Sequence, residues 1–276
     1  MQTKIYSFDE VCRASTDYFD SDELASSVFA TKYALQNEKG EYLESTPDDM
    51  HHRLASEFAR IEKKYANSLS VDEIYGLLKD FRYIIPQGSP MSGVGNPYKL
   101  QSLANCFVIE SPHDSYAGIL HTDQEQAQIM KRRGGVGFDI STLRPKGMKT
   151  ANAAGTTDGI SVFMERFSNT CREVAQGGRR GALMLTISIN HYEVETFIDI
   201  KQDLKKVTGA NVSLRISDEF MHAVKDDSGF RLQWPVDTDT PVIEKTVRAR
   251  DIWNKIIKSA WTSAEPGVIF WDTVKR

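Results

Sequence analysis

Three cysteines, Cys12, Cys106 and Cys171, are the residues of this sequence best suited to redox or nucleophilic chemistry. They are too scattered for a disulfide framework, and none shares a C-x-x-C spacing that would hold zinc, so any thiol chemistry uses them singly. Cys106 stands in Leu103-Ala104-Asn105-Cys106-Phe107-Val108, after a loop rich in glycine, proline and serine. The run reads as a buried strand that would hold a thiol rigidly. Two roles fit it: a small core residue, free cysteine being among the most buried residue types, or a reactive group facing a substrate. Cys171 shares a helical face with Phe163, Phe167 and Val174, which assigns it to packing. Cys12 has no supporting pattern around it.

Positive charge lies beside glycine in two places, KRRGGVGF at 131–138 and QGGRRGA at 176–182. Each leads from the end of a helical pattern into a strand, as glycine C-caps do. Neither matches G-x-G-x-x-G or G-x-x-x-x-G-K-[ST], so dinucleotide and P-loop mechanisms have no support. Arginines flanked by glycines can approach a phosphate or a base closely and with bidentate geometry, and they can equally be solvated parts of a connector. The stretch 144–159 is long, polar and small-residued, a length at which loops in α/β domains are either functional or flexible. Asp114 and Ser115 fall where a helix should begin and suit N-capping. His191 follows a strand and reads as structural.

The elements that must position these groups fall into two regions. Within the first hundred or so residues, Ala25, Val28, Phe29 and Tyr33 form one helical stripe, and Met50, Leu54, Phe58, Ile61 and Tyr65 form another. Thr46, Pro47 and Asp49 are placed to start the second, and Ser70 with Glu73 repeat that capping logic ahead of Ile74, Leu77, Leu78 and Phe81. Prolines and glycines between 86 and 97 break the helical pattern, which puts a junction near Leu100 and domains at 1–100 and 101–276. Beyond it, strand patterns at 103–110, 136–143, 182–189, 207–216, 230–236 and 268–271 alternate with helical ones such as 160–175 and 249–261. That alternation predicts an α/β architecture with a largely parallel sheet. With 40% hydrophobic and 26% charged residues the chain can bury a core, and no apolar run approaches a membrane span. The start lacks the apolar core of a signal peptide, so a cytoplasmic location is expected. A net charge of -4 argues against a broad nucleic-acid surface.

Taken in order, several segments resemble the large subunit of ribonucleotide reductases over nearly the whole chain. They are Ser89-Pro90, LANCFV at 103–108, RGGVGFDI at 133–140, LRPKG at 143–147, QGGRRGA at 176–182, VTGANVS at 207–213, SDEFM at 217–221 and EPGVIFWD at 265–272. The resemblance implies a helical domain followed by the first half of a ten-stranded α/β barrel. It implies that Cys106 is one of the two thiols that reduce the ribose, with Ser89, Asn105 and Gly135 lining the nucleotide site. Relatives often carry serine where Asn105 stands. Asp114, Ser115, Lys131 and Arg144 match the family's positions for a deoxynucleoside triphosphate effector. Gln176, Arg179 and Arg180 fall on the loop that relays effector identity to the substrate base.

That assignment is chemically coherent, because losing a 2′ hydroxyl after hydrogen abstraction needs a proton and two electrons beside the sugar, and a thiol pair supplies both. The family's radical cysteine in an Asn-Pro-Cys segment, its second redox cysteine and its phosphate loop are not found between residues 1 and 276. The chain alone is therefore expected to have no turnover and to need a C-terminal half. The wording is most similar to the adenosylcobalamin-dependent members; a radical from a separate metal-containing subunit is the alternative. The resemblance further implies a ribonucleotide substrate, a thioredoxin- or glutaredoxin-type reductant and a homodimer paired through helices near the effector site. No metal site is expected in the chain itself. Two other readings stay open: a non-catalytic deoxynucleotide-binding module in which Cys106 is inert, and an unrelated α/β oxidoreductase using a dinucleotide.

Overall fold

The computed structural model describes residues 4–174 and 181–276. The chain divides into two compact units, Met1–Asn105 and Cys106–Arg276.

The first unit is helical: α1 Phe8–Tyr18, α2 Glu23–Lys32, α3 Pro47–Glu62, α4 Val71–Leu78 and the short α5 Gly88–Gly93. Capping boxes start α3 at Thr46 and Asp49, with Pro47 in the first turn, and α4 at Ser70 and Glu73, both as the sequence predicts. A third, at Ser7 and Glu10, starts α1, which periodicity does not reveal. The buried side of α3 is Met50, His51, Leu54, Ala55 and Ala59, while Phe58 is 40% exposed and Tyr65 64%. The expected stripe is thus rotated. Met50 and Leu54 stay buried, and toward the C-terminal end the small Ala55 and Ala59 take the inner positions in place of Phe58.

The second unit is built on a parallel sheet of β1 Cys106–Val108, β2 Gly135–Asp139, β3 Leu183–Ser188, β4 Asn211–Ile216 and β7 Gly267–Phe270, in the order β1-β2-β3-β4-β7. Parallel neighbours need long crossovers. These carry α6 Tyr116–Met130, α7 Ile160–Glu173, α8 Val194–Asp199, α9 Asp218–Asp226 and α10 Ala249–Ser263, with α11 Trp271–Lys275 after β7. Residues alternate between the two faces of each strand. Val136, Phe138, Leu183, Leu185, Ile187, Val212, Leu214 and Ile216 are buried in one core with Met164, Phe167, Phe197 and Phe220 of the helices. Among the described residues, no helix is long and apolar enough to cross a membrane.

Two strand expectations need correction. Residues 230–236 do not join the parallel sheet: β5 Gly229–Trp234 pairs antiparallel with β6 Ile243–Arg248 in a separate ribbon. The partner strand escapes a search for apolar runs because its burial alternates residue by residue, with Glu244, Thr246 and Arg248 on the exposed side. Nor is the Cys106 strand buried. It is three residues long at the edge of the sheet, with Cys106 exposed and Val108 92% exposed.

Candidate active site and effector pocket

Register fixes what surrounds Cys106. It pairs with Gly135, and Val108 pairs with Gly137, so all four share the face of the sheet opposite the helices. Gly137 pairs in turn with Met184, and Met184 with Asn211. The two glycines carry no side chain, which leaves a flat strip of backbone beside the sulfur. Neither adds a side chain beside the sulfur, although Gly135 is itself buried and Gly137 half-buried. Gly134, one residue earlier, is required for a different reason: a Cβ there would lie 2.5 Å from Ile129 and 2.8 Å from the Phe107 ring.

Ser89 and Asn105 come together within the helical unit. The Ser89 N–H donates to Asn105 Oδ1 at 2.9 Å, and Asn105 Nδ2 donates to Gln87 Oε1 at 2.6 Å. Gln101 Nε2 reaches both the Ser89 carbonyl, at 3.1 Å, and Ser92 Oγ, at 2.9 Å. The Ser89 hydroxyl is buried and has no hydrogen-bond partner among the described residues. Leaving a hydroxyl so costs free energy, which a ligand could return.

Asp114, Ser115 and Arg144 line one pocket of about 250 Å³ together with Tyr116, Ile119, Phe163, Thr150, Asn152 and Thr157. Ser115 caps α6 by accepting from the Gly118 N–H at 3.1 Å. Asp114 plays a different part. Its carboxylate accepts from Arg144 Nε at 2.6 Å and from the Arg144 backbone N–H at 3.1 Å. Arg144 also donates to the Lys149 carbonyl. A guanidinium beside a helix N-terminus is a setting that suits phosphate or another anion. Lys131 caps the other end of α6, beyond 15 residues of helix or roughly 22 Å, and does not line this pocket.

The stretch 144–159 is not a slack loop. Lys149 and Thr156 form an antiparallel bridge, Gly147 N–H donates to the Thr157 carbonyl at 2.8 Å, and Thr150 N–H donates to the Gly155 carbonyl at 2.9 Å. Its end is fastened by Glu193, whose Oε2 accepts from the Ile160 N–H at 3.1 Å at the start of α7. Gly159 has φ +82°, and a Cβ there would lie 2.6 Å from that carboxylate. Burial pushes the Glu193 carboxyl above its usual range. His191 is fully buried, with Nε2 against the Leu143 carbonyl at 2.9 Å and Nδ1 accepting from the Glu193 N–H at 3.1 Å. That is a neutral, structural ring, with its pKa lowered by burial to about 4.

Cys171 is buried in the core, as its helical face predicts, and burial raises its thiol pKa. Gln176, Arg179 and Arg180 lie outside the described residues. A polar cluster on the open face, Asp139, Thr186 and Arg215, goes unnoticed in the sequence. The signal that could have found it is polar residues at alternate positions of apolar strands: Asp139 in β2, Thr186 and Ser188 in β3, Ser213 and Arg215 in β4.

Comparison with known proteins gives this geometry a family. The ribonucleotide reductase all-alpha domain matches residues 19–97, and the ribonucleotide reductase barrel domain matches residues 104–276. A vitamin B12-dependent ribonucleoside-diphosphate reductase of Thermoplasma acidophilum is 36% identical over 194 residues, 70% of this chain and 24% of that protein. One of Mycobacterium tuberculosis H37Rv is 30% identical over 257 residues, 91% of this chain and 35% of that protein. The ribonucleoside-diphosphate reductase large chain 2 of Saccharomyces cerevisiae is 28% identical over 233 residues, covering 75% and 26% respectively. The chain spans 24% and 35% of the two B12-dependent relatives. With a helical unit, a parallel α/β unit and both family domains matched in order, the chain belongs to the ribonucleotide reductase large-subunit family.

Proposed function

We propose that this chain supplies the first half-barrel of a reductase that converts ribonucleoside diphosphates or triphosphates to deoxyribonucleotides, with Cys106 as one member of its redox pair. The observation that carries the reading is an exposed thiol on the polar face of a parallel sheet, beside two glycines. In the proposed reaction a thiyl radical removes a ribose hydrogen, and the 2′ hydroxyl takes one thiol proton and leaves as water. The second proton and two electrons from the thiol pair reach C2′ as the pair closes to a disulfide, and the hydrogen first removed is returned to the ribose, which regenerates the thiyl radical. A thioredoxin- or glutaredoxin-type reductant would reopen the disulfide. Ser89, Asn105 and Gly135 are the proposed substrate contacts, and Lys131 remains a candidate effector contact from outside the Arg144 pocket.

The pocket lined by Asp114, Ser115 and Arg144 is assigned to a deoxynucleoside triphosphate effector, with residues 176–180 relaying its identity. A coupling of about 1 to 3 kcal/mol is enough to change base preference several-fold. A homodimer formed through helices beside that pocket, and a cytoplasmic setting, complete the proposal.

Relatives are named as vitamin B12-dependent, and adenosylcobalamin is the radical source we favour. No residue of this chain is assigned to hold it.

The test is co-expression with a C-terminal half carrying an Asn-Pro-Cys segment and a second redox cysteine. Deoxynucleotide formation that disappears with Cys106→Ser supports the proposal; full activity of Cys106→Ser refutes the redox assignment. In that event the second reading, a deoxynucleotide-binding module, would stand, since the Asp114, Ser115 and Arg144 pocket is built without any contribution from Cys106.

A further inference from the structure

The segment carrying Ser89 cannot hold its own shape. α5 has six residues, too few for a helix to be stable alone, and it ends in a glycine-rich turn. Its end is gripped from α3. Arg53 Nη2 donates to the Met91 carbonyl at 3.0 Å and Nη1 donates to the Val94 carbonyl, two acceptors that the helix terminus leaves without helical partners. Arg53 is in turn held by Glu44: Nε donates to Oε1 at 2.6 Å and Nη2 to Oε2 at 3.3 Å. Glu44 Oε2 also accepts from the Leu35 N–H at 2.9 Å. The side chains of Arg53 and Glu44 are 9% and 5% exposed, and a Cβ at Gly95 would lie 2.9 Å from Arg53 Cγ.

We propose that Arg53, backed by Glu44, is a positioning residue of the nucleotide site, fixing the turn from which the Ser89 hydroxyl meets the substrate. The inference rests on the reading of Ser89 as a substrate contact. Asn105 and Gln101 hold the front of the turn through the Ser89 backbone, and the guanidinium holds its rear. The planar fork is what serves two carbonyls and a carboxylate at once. A lysine keeps the charge and loses that geometry.

The experiment is steady-state reduction of a ribonucleoside diphosphate by the reductase containing this chain, with Arg53→Lys, Ser89→Ala and the double variant. Arg53→Lys is expected to raise KM about tenfold with kcat within about twofold, because binding geometry changes and the reacting thiols do not. With Ser89→Ala already present, Arg53→Lys should add little, since both act through one hydroxyl. Should Arg53→Lys fail to fold, Glu44→Gln loosens the same clamp and is expected to raise KM about threefold with the same lack of additivity. Loss of kcat in step with thermal stability at unchanged KM, or full additivity with Ser89→Ala, overturns the proposal. An unchanged KM in Ser89→Ala alone overturns it together with the reading of Ser89, which separates the two failures.

Discussion

Asp139 and Arg215 meet across the open face of the sheet, Arg215 Nε lying 3.0 Å from Asp139 Oδ2 although the whole of β3 runs between their strands. The Nε–H is not aimed along that contact, so the attraction is chiefly coulombic. Thr186 on the intervening strand donates to the same carboxylate oxygen at 3.0 Å, and the guanidinium lies 4.8 Å from the Trp271 ring. The side chains of Arg215 and Asp139 are 18% and 15% exposed. Removing one partner strands a mostly buried charge, and partial solvent screening reduces the cost to about 2 kcal/mol for Asp139→Ala. Asp139→Leu with Arg215→Met should regain most of it. Urea denaturation of the parent, Asp139→Ala and the Asp139→Leu, Arg215→Met double variant checks this; a loss below about 0.5 kcal/mol in Asp139→Ala counts against the seam.

Thiol accessibility differs sharply among the cysteines. Cys106 is exposed, Cys12 half-buried and Cys171 buried. Alkylation under native conditions, followed by mass spectrometry, should label Cys106 first and Cys171 only at the rate of unfolding. Burial raises the pKa of both Cys12 and Cys171, which slows them further, since the thiolate is the reacting form. Equal labelling of all three would contradict the exposed edge strand.

Deoxynucleoside triphosphate binding should depend on the Asp114–Arg144 pair. Arg144→Ala removes the guanidinium from the pocket and is expected to weaken binding about tenfold or more by calorimetry. Asp114→Asn keeps a hydrogen-bond acceptor but not the counter-charge, and should weaken it less. Lys131→Ala distinguishes a contact made outside this pocket: a loss equal to that of Arg144→Ala would show that effector binding extends beyond the cleft described.

Acid should destabilise the α/β unit through His191. Its folded pKa is about 4 against an ordinary 6.5, so the unfolded chain binds more protons between those values. Stability is therefore unaffected above about pH 6.5 and falls as the pH drops toward 4, by up to roughly 3 kcal/mol from this residue. His51 adds to the same trend in the helical unit, where burial lowers its pKa and both ring nitrogens lack hydrogen-bond partners among the described residues. Thermal unfolding of His191→Gln from pH 7.5 to 4.5 should show a shallower decline than the parent.

Glu193 carries the opposite sign. Its raised carboxyl pKa means that its contribution is full below the ordinary carboxylate range and declines as the pH rises through the folded value. Glu193→Gln keeps an acceptor for the Ile160 N–H and should be neutral or slightly stabilising at pH 7.5. Glu193→Ala loses the cap and should cost about 1 kcal/mol. Melting temperatures at pH 5 and 7.5 check both.

The architecture was legible because its signals are local: capping boxes at Thr46 and Ser70, and strand runs such as 182–189. What escaped depends on long-range pairing. Burial of the Cys106 strand could not be read, because Phe107 and Ile109 look like core residues whether or not a neighbour covers Cys106 and Val108. Asp114 and Arg144 fit one site by resemblance, yet only the fold brings their side chains to 2.6 Å. The grip of Arg53 on Val94 spans 41 residues and leaves no periodic trace.

Phe163, in the first turn of α7, forms part of the pocket wall, and the last residue of that helix, Glu173, lies three positions before Gln176. Fourteen residues of α-helix make a stiff rod of about 21 Å. If a ligand displaces the Phe163 ring, a rod of that stiffness is expected to pass part of the movement along its length, which hydrogen exchange across residues 160–173 with and without a deoxynucleoside triphosphate would register.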